Sequence, residues 1–394
     1  MRLLSVSRVS QSRTRSSFLT IRAQTSRTFS QLHSNPERSS FGIAFDIDGV
    51  ILRGRTPIGG SPQALKRLYS ECGTMKIPFL FLTNGGGVPE SKRAIELSEL
   101  LDVNILPLQH LSFMSLMQVV QGHYPFKTLV AGYENKLIVA IGKGEPAEVM
   151  SDYGFKKVLS MDEYASYFDN IDPLAQYKIW EAKTTFREDR SLLPRYDVLS
   201  ERVQAAFIVS DPVDWSRDIQ VLCDILTSGG LPGQANRHQP PLYFAADDLE
   251  YQAAFPSMRL GMGAFRIALE AIFSEIHPLP LEYTSYGKPN SFVFKNAEAI
   301  LKQLQQLSCD EHDVLHNGDA VNHSFRTLYM IGDNPSVDIK GAQQARSPWL
   351  SILTRTGVFR GEINDPEFPA DLVVDDVEEA VDYIFRREST LGNQ

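Results

Sequence analysis

Asp46 and Asp48 stand two residues apart at the end of an apolar run, Phe41-Gly42-Ile43-Ala44-Phe45, and Gly49-Val50 follow at once. Along an extended chain side chains repeat every second residue, so both carboxylates point the same way and Ile47 points the other. Two carboxylates at one strand tip repel unless a cation or a proton sits between them. The pair can therefore hold a hard cation and supply a nucleophile at the same place. Gly49 lets the backbone turn where a side chain would crowd the reacting centre.

Three further segments carry the same signature. Phe79-Leu80-Phe81-Leu82 is an apolar run tipped by Thr83, Asn84, Gly85 and Gly86. Tyr286-Gly287-Lys288-Pro289 fixes a lysine between a glycine and a proline. Leu328-Tyr329-Met330-Ile331 leads into Gly332-Asp333-Asn334-Pro335-Ser336-Val337-Asp338. Taken singly, Thr83 could cap a helix, Lys288 could be a solvated loop lysine and Asp338 could ligate nothing. Taken together, three strand tips and one lysine converge if the strands lie parallel in one sheet, because sites form beyond the carboxyl ends of such strands.

The elements that must position them follow from the alternation of short apolar runs and helical patterns, which predicts a parallel α/β sheet. Strands are expected at 41–46, 77–82 and 327–331, with late strands near Leu350 to Thr354 and Asp371 to Val374. Helices are expected from Ser61 to about Cys72, from Pro89 to about Leu101, from His110 to Gln121, from Ser291 to Gln306 and over 336–346. Strand-like runs lie at Lys127 to Ala131 and Leu137 to Ile141. Residues 145–168 read as helix, strand and helix, and 169–202 as a peripheral insert. A second domain is expected over 203–285, with strands at 205–209 and 242–245 and helices near Asp218 to Leu226 and Gly263 to Ile276. The first domain then occupies 40–202 and 286–390.

The four motifs resemble those of the haloacid dehalogenase-like hydrolase superfamily: D-x-D-G-V at Asp46 to Val50, the threonine at Thr83, the lysine at Lys288, and G-D-x-x-x-x-D from Gly332 to Asp338. The insertion between the second and third motifs is similar to that of subfamily IIA, which carries a C2-type cap. Pro256-Ser257-Met258-Arg259-Leu260-Gly261-Met262-Gly263-Ala264-Phe265-Arg266 resembles the P-R-F-G-Q-G-A-F-R segment of the cat eye syndrome critical region protein 5 family, also called haloacid dehalogenase-like hydrolase domain-containing protein 5. The resemblance covers roughly 40–385 and implies a Rossmann-like parallel-sheet core with an inserted α/β C2 cap.

It also implies roles. Asp46 would be nucleophile and Mg2+ ligand, forming an aspartyl-phosphate. Asp48 would give its backbone carbonyl to the metal, and its side chain would act as general acid and then base. Asp333 would be the remaining protein ligand, with Asp338 supporting it. Thr83 and Lys288 would hold the transferring phosphoryl oxygens, with Asn84, Gly85 and Gly86 extending the phosphate nest. Relatives carry T-N-x-D or S-N-x-D near a cap strand, where this chain has Ala245-Ala246-Asp247-Asp248. Asp248 keeps the acid for substrate binding, and the polar pair is lost. Arg259 and Arg266 stand where anion contacts could lie, although exposed arginines are the commoner outcome.

Composition narrows the partners. With 394 residues, 43% hydrophobic and 22% charged, the chain is long enough for two cored domains. No apolar stretch reaches the length of a membrane span. Cys72, Cys223 and Cys309 are odd in number and far apart, so no disulfide framework is expected. Residues 1–29 hold six arginines, many Ser and Thr, and no acid. That composition matches an organellar transit peptide, and Arg27-Thr28-Phe29-Ser30 resembles a mitochondrial processing site cut after Phe29. A disordered basic tail is the alternative. Losing six positive charges takes the net charge from −9 to −15, which disfavours nucleic acid and anionic membranes. Cys309, His312, His316 and His323 fit no familiar zinc spacing and read as a solvated loop.

The sequence therefore predicts a mitochondrial, matrix-located, Mg2+-dependent phosphatase of a small phosphorylated metabolite, with dehalogenase chemistry less favoured. A binding or assembly protein on a hydrolase fold is the alternative suggested by the altered cap element. A phosphatase beside glycerophospholipid synthesis is a further reading. A homodimer through the cap is left open.

Overall fold

The computed structural model describes residues 39–105, 107–108, 116–178, 196–234, 238–307 and 324–392. The proposed leader (1–29) and the loop with Cys309, His312, His316 and His323 lie outside the described residues. In chain order the principal strands are β1 (Phe41–Phe45), β2 (Phe79–Leu82), β3 (Val119–Val120), β4 (Leu137–Ile141), β5 (Lys157–Ser160) and β6 (Ala205–Ile208). They are followed by β7 (Leu242–Phe244), β8 (Thr284–Ser285), β9 (Thr327–Gly332), β10 (Trp349–Thr354) and β11 (Leu372–Val374). They form two sheets, ordered β11-β10-β9-β1-β2-β3 and β8-β7-β6-β4-β5. Every pairing within both sheets is parallel.

The first sheet is the core. Each residue of β1 and β2 is buried, as expected of parallel strands covered on both faces. The register sets Phe45 against Ile331 on one side and Phe81 on the other. Within the next two residues of each strand, Asp46, Gly332-Asp333 and Thr83 must therefore emerge close together. Helices Ser291–Leu307 and Val377–Gly392 pack on this sheet through buried residues such as Phe294, Leu301, Val381 and Ile384. The second sheet has its own apolar cluster, centred on Phe126, Phe207, Phe244 and Phe265. Helices Trp215–Thr227 and Met262–Ile276 contribute to it.

Several expectations need correction. The second sheet takes in β4 and β5, so it begins at Leu137 rather than at 203. Leu137–Ile141 is five consecutive buried apolar residues, and such a run reads alike in either of two parallel sheets. Residues 127–131 are not a strand: Tyr124–Leu129 is a 3-10 helix and Val130–Tyr133 an α-helix, opened by Pro125. The helix expected over 110–121 ends instead in β3, whose Val119 and Val120 pair with Phe81 and Leu82; 109–115 lie outside the described residues. The span 336–346 divides into a π-helical turn, Pro335–Ile339, and the helix Lys340–Ala345. The helix Val377–Gly392 was not anticipated.

Candidate active site

The carboxyl ends of β1, β2 and β9 open into a cleft between the two sheets. Asp46, Asp48, Thr83, Asn84, Gly85 and Gly86 line it, together with Asp248, Lys288, Asp333 and Asp338. Asp46 emerges from β1, its N–H donating to the Ile331 carbonyl at 2.8 Å. Residues Ile47–Leu52 then fold into a tight loop in which Gly49 N–H donates to the Leu52 carbonyl at 2.8 Å. Gly49 has φ +88°, and a Cβ there would lie 2.4 Å from Asp333 Oδ2. Glycine is required on both grounds.

Lys288 organises the floor. Its ammonium donates to Asp46 Oδ1 at 2.7 Å and to Asp338 Oδ1 at 2.6 Å. Asp338 Oδ2 accepts from the Asn334 N–H at 3.1 Å, closing the π-helical turn on itself. Asp333 Oδ2 accepts from the Val358 N–H at 2.7 Å. Asn84 ties the second strand tip to the lysine: its Oδ1 accepts from Lys288 N–H at 2.8 Å, and its Nδ2 donates to the Lys288 carbonyl at 3.0 Å. The same Nδ2 donates to Asp248 Oδ2 at 2.8 Å, a bridge from core to cap. Thr83 Oγ1 accepts from the Gly85 N–H at 3.0 Å. The loss of polarity at Ala245-Ala246, both buried, leaves the Asp248 bridge in place.

The electrostatics are those of a site short of positive charge. Burial pushes the Asp46 carboxyl well above the usual carboxylate range; Lys288 opposes this, and Asp338 and Asp333 add to it. Burial, with Asp338, takes Asp333 up to about 7. Burial likewise raises Asp48, against the pull of Arg93 and Lys143, and lifts Asp248 to about 7. Burial disfavours the Lys288 ammonium, yet Asp338 and Asp46 outweigh it and hold the group firmly protonated. Asp46, Asp333 and Asp338 are all buried, and each offers an oxygen within 4.8 Å of the others. A hard divalent cation with a preference for oxygen ligands fits that donor set.

Arg259 and Arg266 do not line the cleft. Arg266 is held by Asp247 at 2.6 Å and Glu270 at 2.9 Å, and Arg259 donates to the carbonyls of Ser257 and Met258. Sequence reasoning missed Lys143, Ser210 and Asp211, which the cap brings into the cleft. Their signal was weak: each is a polar residue just past the end of an apolar strand. It also missed Gly357, where a Cβ would lie 1.8 Å from Asp333 Oδ2. Cys72 is exposed and Cys223 buried, both free. No described helix is long and apolar enough to cross a membrane.

A parallel α/β core with a carboxylate cluster and a fixed lysine beyond its strand ends, covered by a second α/β domain, defines a capped hydrolase-type enzyme. A profile of haloacid dehalogenase-like hydrolases matches residues 43–156, and one described as HAD-hydrolase-like matches 285–380. A mitochondrial hydrolase of Saccharomyces cerevisiae is 32% identical over 352 residues, 86% of this chain and 94% of its own. A fusion of cardiolipin synthase (CMP-forming) with a mitochondrial hydrolase, from Schizosaccharomyces pombe, is 32% identical over 346 residues, 86% of this chain and 52% of its own. The fold is similar to a crystal structure from Cytophaga hutchinsonii described as a possible sugar phosphatase. That likeness has TM-score 0.55 and 14% identity, covering 86% of this chain and 94% of the other. The chain belongs to the haloacid dehalogenase-like hydrolases and is an enzyme of that family.

Proposed function

We propose that the protein is a Mg2+-dependent phosphatase of small phosphomonoesters, working through an aspartyl-phosphate in mitochondria. The observation that carries this is the Lys288 ammonium fixed between Asp46 and Asp338 beside Asp333, at the carboxyl edge of the core sheet. Asp46 attacks phosphorus, and the ester P–O bond breaks as the carboxylate–phosphorus bond forms. Asp48, with its raised pKa, gives its proton to the departing alkoxide. It then takes a proton from the water that attacks phosphorus in the second step. That step releases inorganic phosphate and restores the Asp46 carboxylate. Lys288, Thr83 and the N–H groups of Gly85 and Gly86 hold the phosphoryl oxygens. A divalent cation held by Asp46, Asp333 and the Asp48 carbonyl, with Asp338 supporting, supplies neutralising charge between carboxylates and phosphate.

Support comes from the S. cerevisiae and S. pombe relatives, both named as mitochondrial hydrolases. Rates on a panel of phosphate esters, including p-nitrophenyl phosphate, test the reading. Wild type is expected to turn over esters only with Mg2+, and Asp46→Asn to lose about a thousandfold or more. Equal rates in the two proteins would remove the nucleophile and the mechanism with it.

A second reading concerns pathway. The S. pombe relative joins its hydrolase to a cardiolipin synthase in one polypeptide, which favours a phosphatase beside glycerophospholipid synthesis. Hydrolysis of glycerol-type phosphates, measured directly, decides it.

A further inference from the structure

Lys143 follows β4 and Asp211 follows β6, two strands paired with Ile141 against Ile208. Their carboxyl ends meet at the edge of the cap sheet that faces the cleft. The corner is built before any ligand arrives. Lys143 Nζ donates to Asp211 Oδ2 at 2.7 Å, and Lys143 N–H donates to the Asp211 carbonyl at 2.9 Å. Ser210 Oγ donates to the Lys143 carbonyl at 2.7 Å. Gly142 has φ +142°, and a Cβ there would lie 2.2 Å from Ser210 Oγ, so the approach of the two strand ends needs a glycine. The pair stays reachable, with 46% of the Lys143 and 26% of the Asp211 side chain exposed. Lys143 and Asp211 line the same cleft as Asp48, the group given the proton transfer to the leaving oxygen in the proposed reaction.

We propose that Lys143 and Asp211 are the cap's specificity pair, and that the substrate is the phosphomonoester of a neutral, hydroxyl-bearing alcohol rather than of an acid. The inference rests on the phosphatase reading. An ammonium beside a carboxylate offers donors and an acceptor at fixed positions, and a hydroxyl is both donor and acceptor. A carboxylate or second phosphate has acceptors only and would confront the wrong balance of charge. Among the described residues, the cap's contribution to the cleft is one cation, Lys143, against Asp211, Asp248 and Glu250. Lys143 is already engaged by Asp211. Arg93, which also acts on Asp48, is paired with Glu96 at 2.5 Å and does not line the cleft, and Lys288 is held by Asp46 and Asp338. A leaving group with its own negative charge is thus disfavoured by repulsion and by the loss of the acceptor contact.

The test compares kcat/KM for glycerol 3-phosphate and 2-phosphoglycolate, with p-nitrophenyl phosphate as a control for the chemistry. Wild type should favour glycerol 3-phosphate by about tenfold or more. Asp211→Asn keeps the shape and removes the charge, and should bring the ratio of the two substrates close to one. The ratio is read within each protein, so a general loss of activity cancels. Phosphoglycolate hydrolysed as well as glycerol phosphate by wild type, or a ratio unmoved in Asp211→Asn, overturns the inference while p-nitrophenyl phosphate turnover preserves the phosphatase reading. No hydrolysis of any of the three overturns both.

Discussion

Gly357→Ala isolates the positioning of Asp333 from everything else in the site. Gly357 does not occupy the left-handed region, so alanine meets no backbone penalty there. Its effect is steric. The new Cβ would fall 1.8 Å from Asp333 Oδ2 and 2.5 Å from its Cγ. Roughly 1.5 Å of retreat is needed to restore van der Waals contact. The carboxyl cannot give way freely, because Val358 N–H holds Oδ2 at 2.7 Å and Phe359 N–H holds the Asp333 carbonyl at 2.8 Å. If Asp333 holds the cation as proposed, displacing its carboxylate by that much should weaken cation affinity by about ten- to a hundredfold, the loss typical of disturbed support around ligands. At a Mg2+ concentration a hundred times the wild-type Kd, the ion stabilises wild type by about 2.7 kcal/mol; a hundredfold weaker site leaves about 0.4. The variant should also lose about 1–3 kcal/mol through overpacking whether or not the ion is bound. The informative quantity is therefore the difference in thermal midpoint with and without Mg2+, read alongside the Mg2+ dependence of the rate. A variant that keeps the full Mg2+-induced shift and an unchanged Mg2+ requirement would refute Asp333 as a ligand positioned by this glycine.

Asn84→Ala removes two contacts to the Lys288 backbone and one to Asp248; unfolding in urea should show a loss of about 1–3 kcal/mol, accompanied by a lower kcat, and an unchanged kcat would reduce Asn84 to scaffolding. The metal-free protein should lose stability as pH rises from about 4 to about 7, since buried Asp333, raised from 3.8 to about 7, keeps a proton in the folded state that the unfolded chain has released. Mg2+ competes with that proton, so its stabilising effect should grow over the same window. Thermal midpoints in chelator and in Mg2+ at several pH values check this; Asp248, also raised to about 7, adds a slope of the same sign, so Asp333→Asn should make the slope shallower, and an unchanged slope would assign it to other groups.

The core strands were legible because each is a short apolar run that changes abruptly to carboxylate, hydroxyl or glycine at its tip. Asp46, Thr83 and Asp333 meet because parallel register carries three such tips to one edge, and the sequence pattern contains that information. The start of the cap did not show. Leu137–Ile141 is as uniformly buried as Phe41–Phe45, and nothing local says which of two parallel sheets a strand joins. Lys143 and Asp211 were hidden for the same reason, since their proximity depends on β4 lying beside β6. Asn84, expected at the phosphate nest, lines the cleft, and its amide also joins Lys288 to Asp248. A side chain with both donor and acceptor is suited to that junction, but only the assembled fold brings the three segments within reach.

Charge shows why the cluster has to be completed by something positive. Asp46, Asp333 and Asp338 lie together against the single ammonium of Lys288, so the floor carries an excess of acid when all are ionised. A phosphate dianion approaching Asp46 would meet the like charge of Asp333 and Asp338 there, with Lys288 as the one ammonium bonded to the cluster. Protonation of Asp46, which burial favours, relieves the repulsion but would remove the proposed nucleophile. Lys288 cannot relieve it alone, because one of its hydrogen bonds is committed to Asp338 at 2.6 Å. A divalent cation held by these carboxylates would leave Asp46 ionised and let a dianion approach it. On this argument Asp338 matters less as a ligand than as the group that keeps Lys288 pointed at Asp46. Asp338→Asn should therefore reduce the rate while leaving more of the Mg2+-induced stabilisation than Asp333→Asn does.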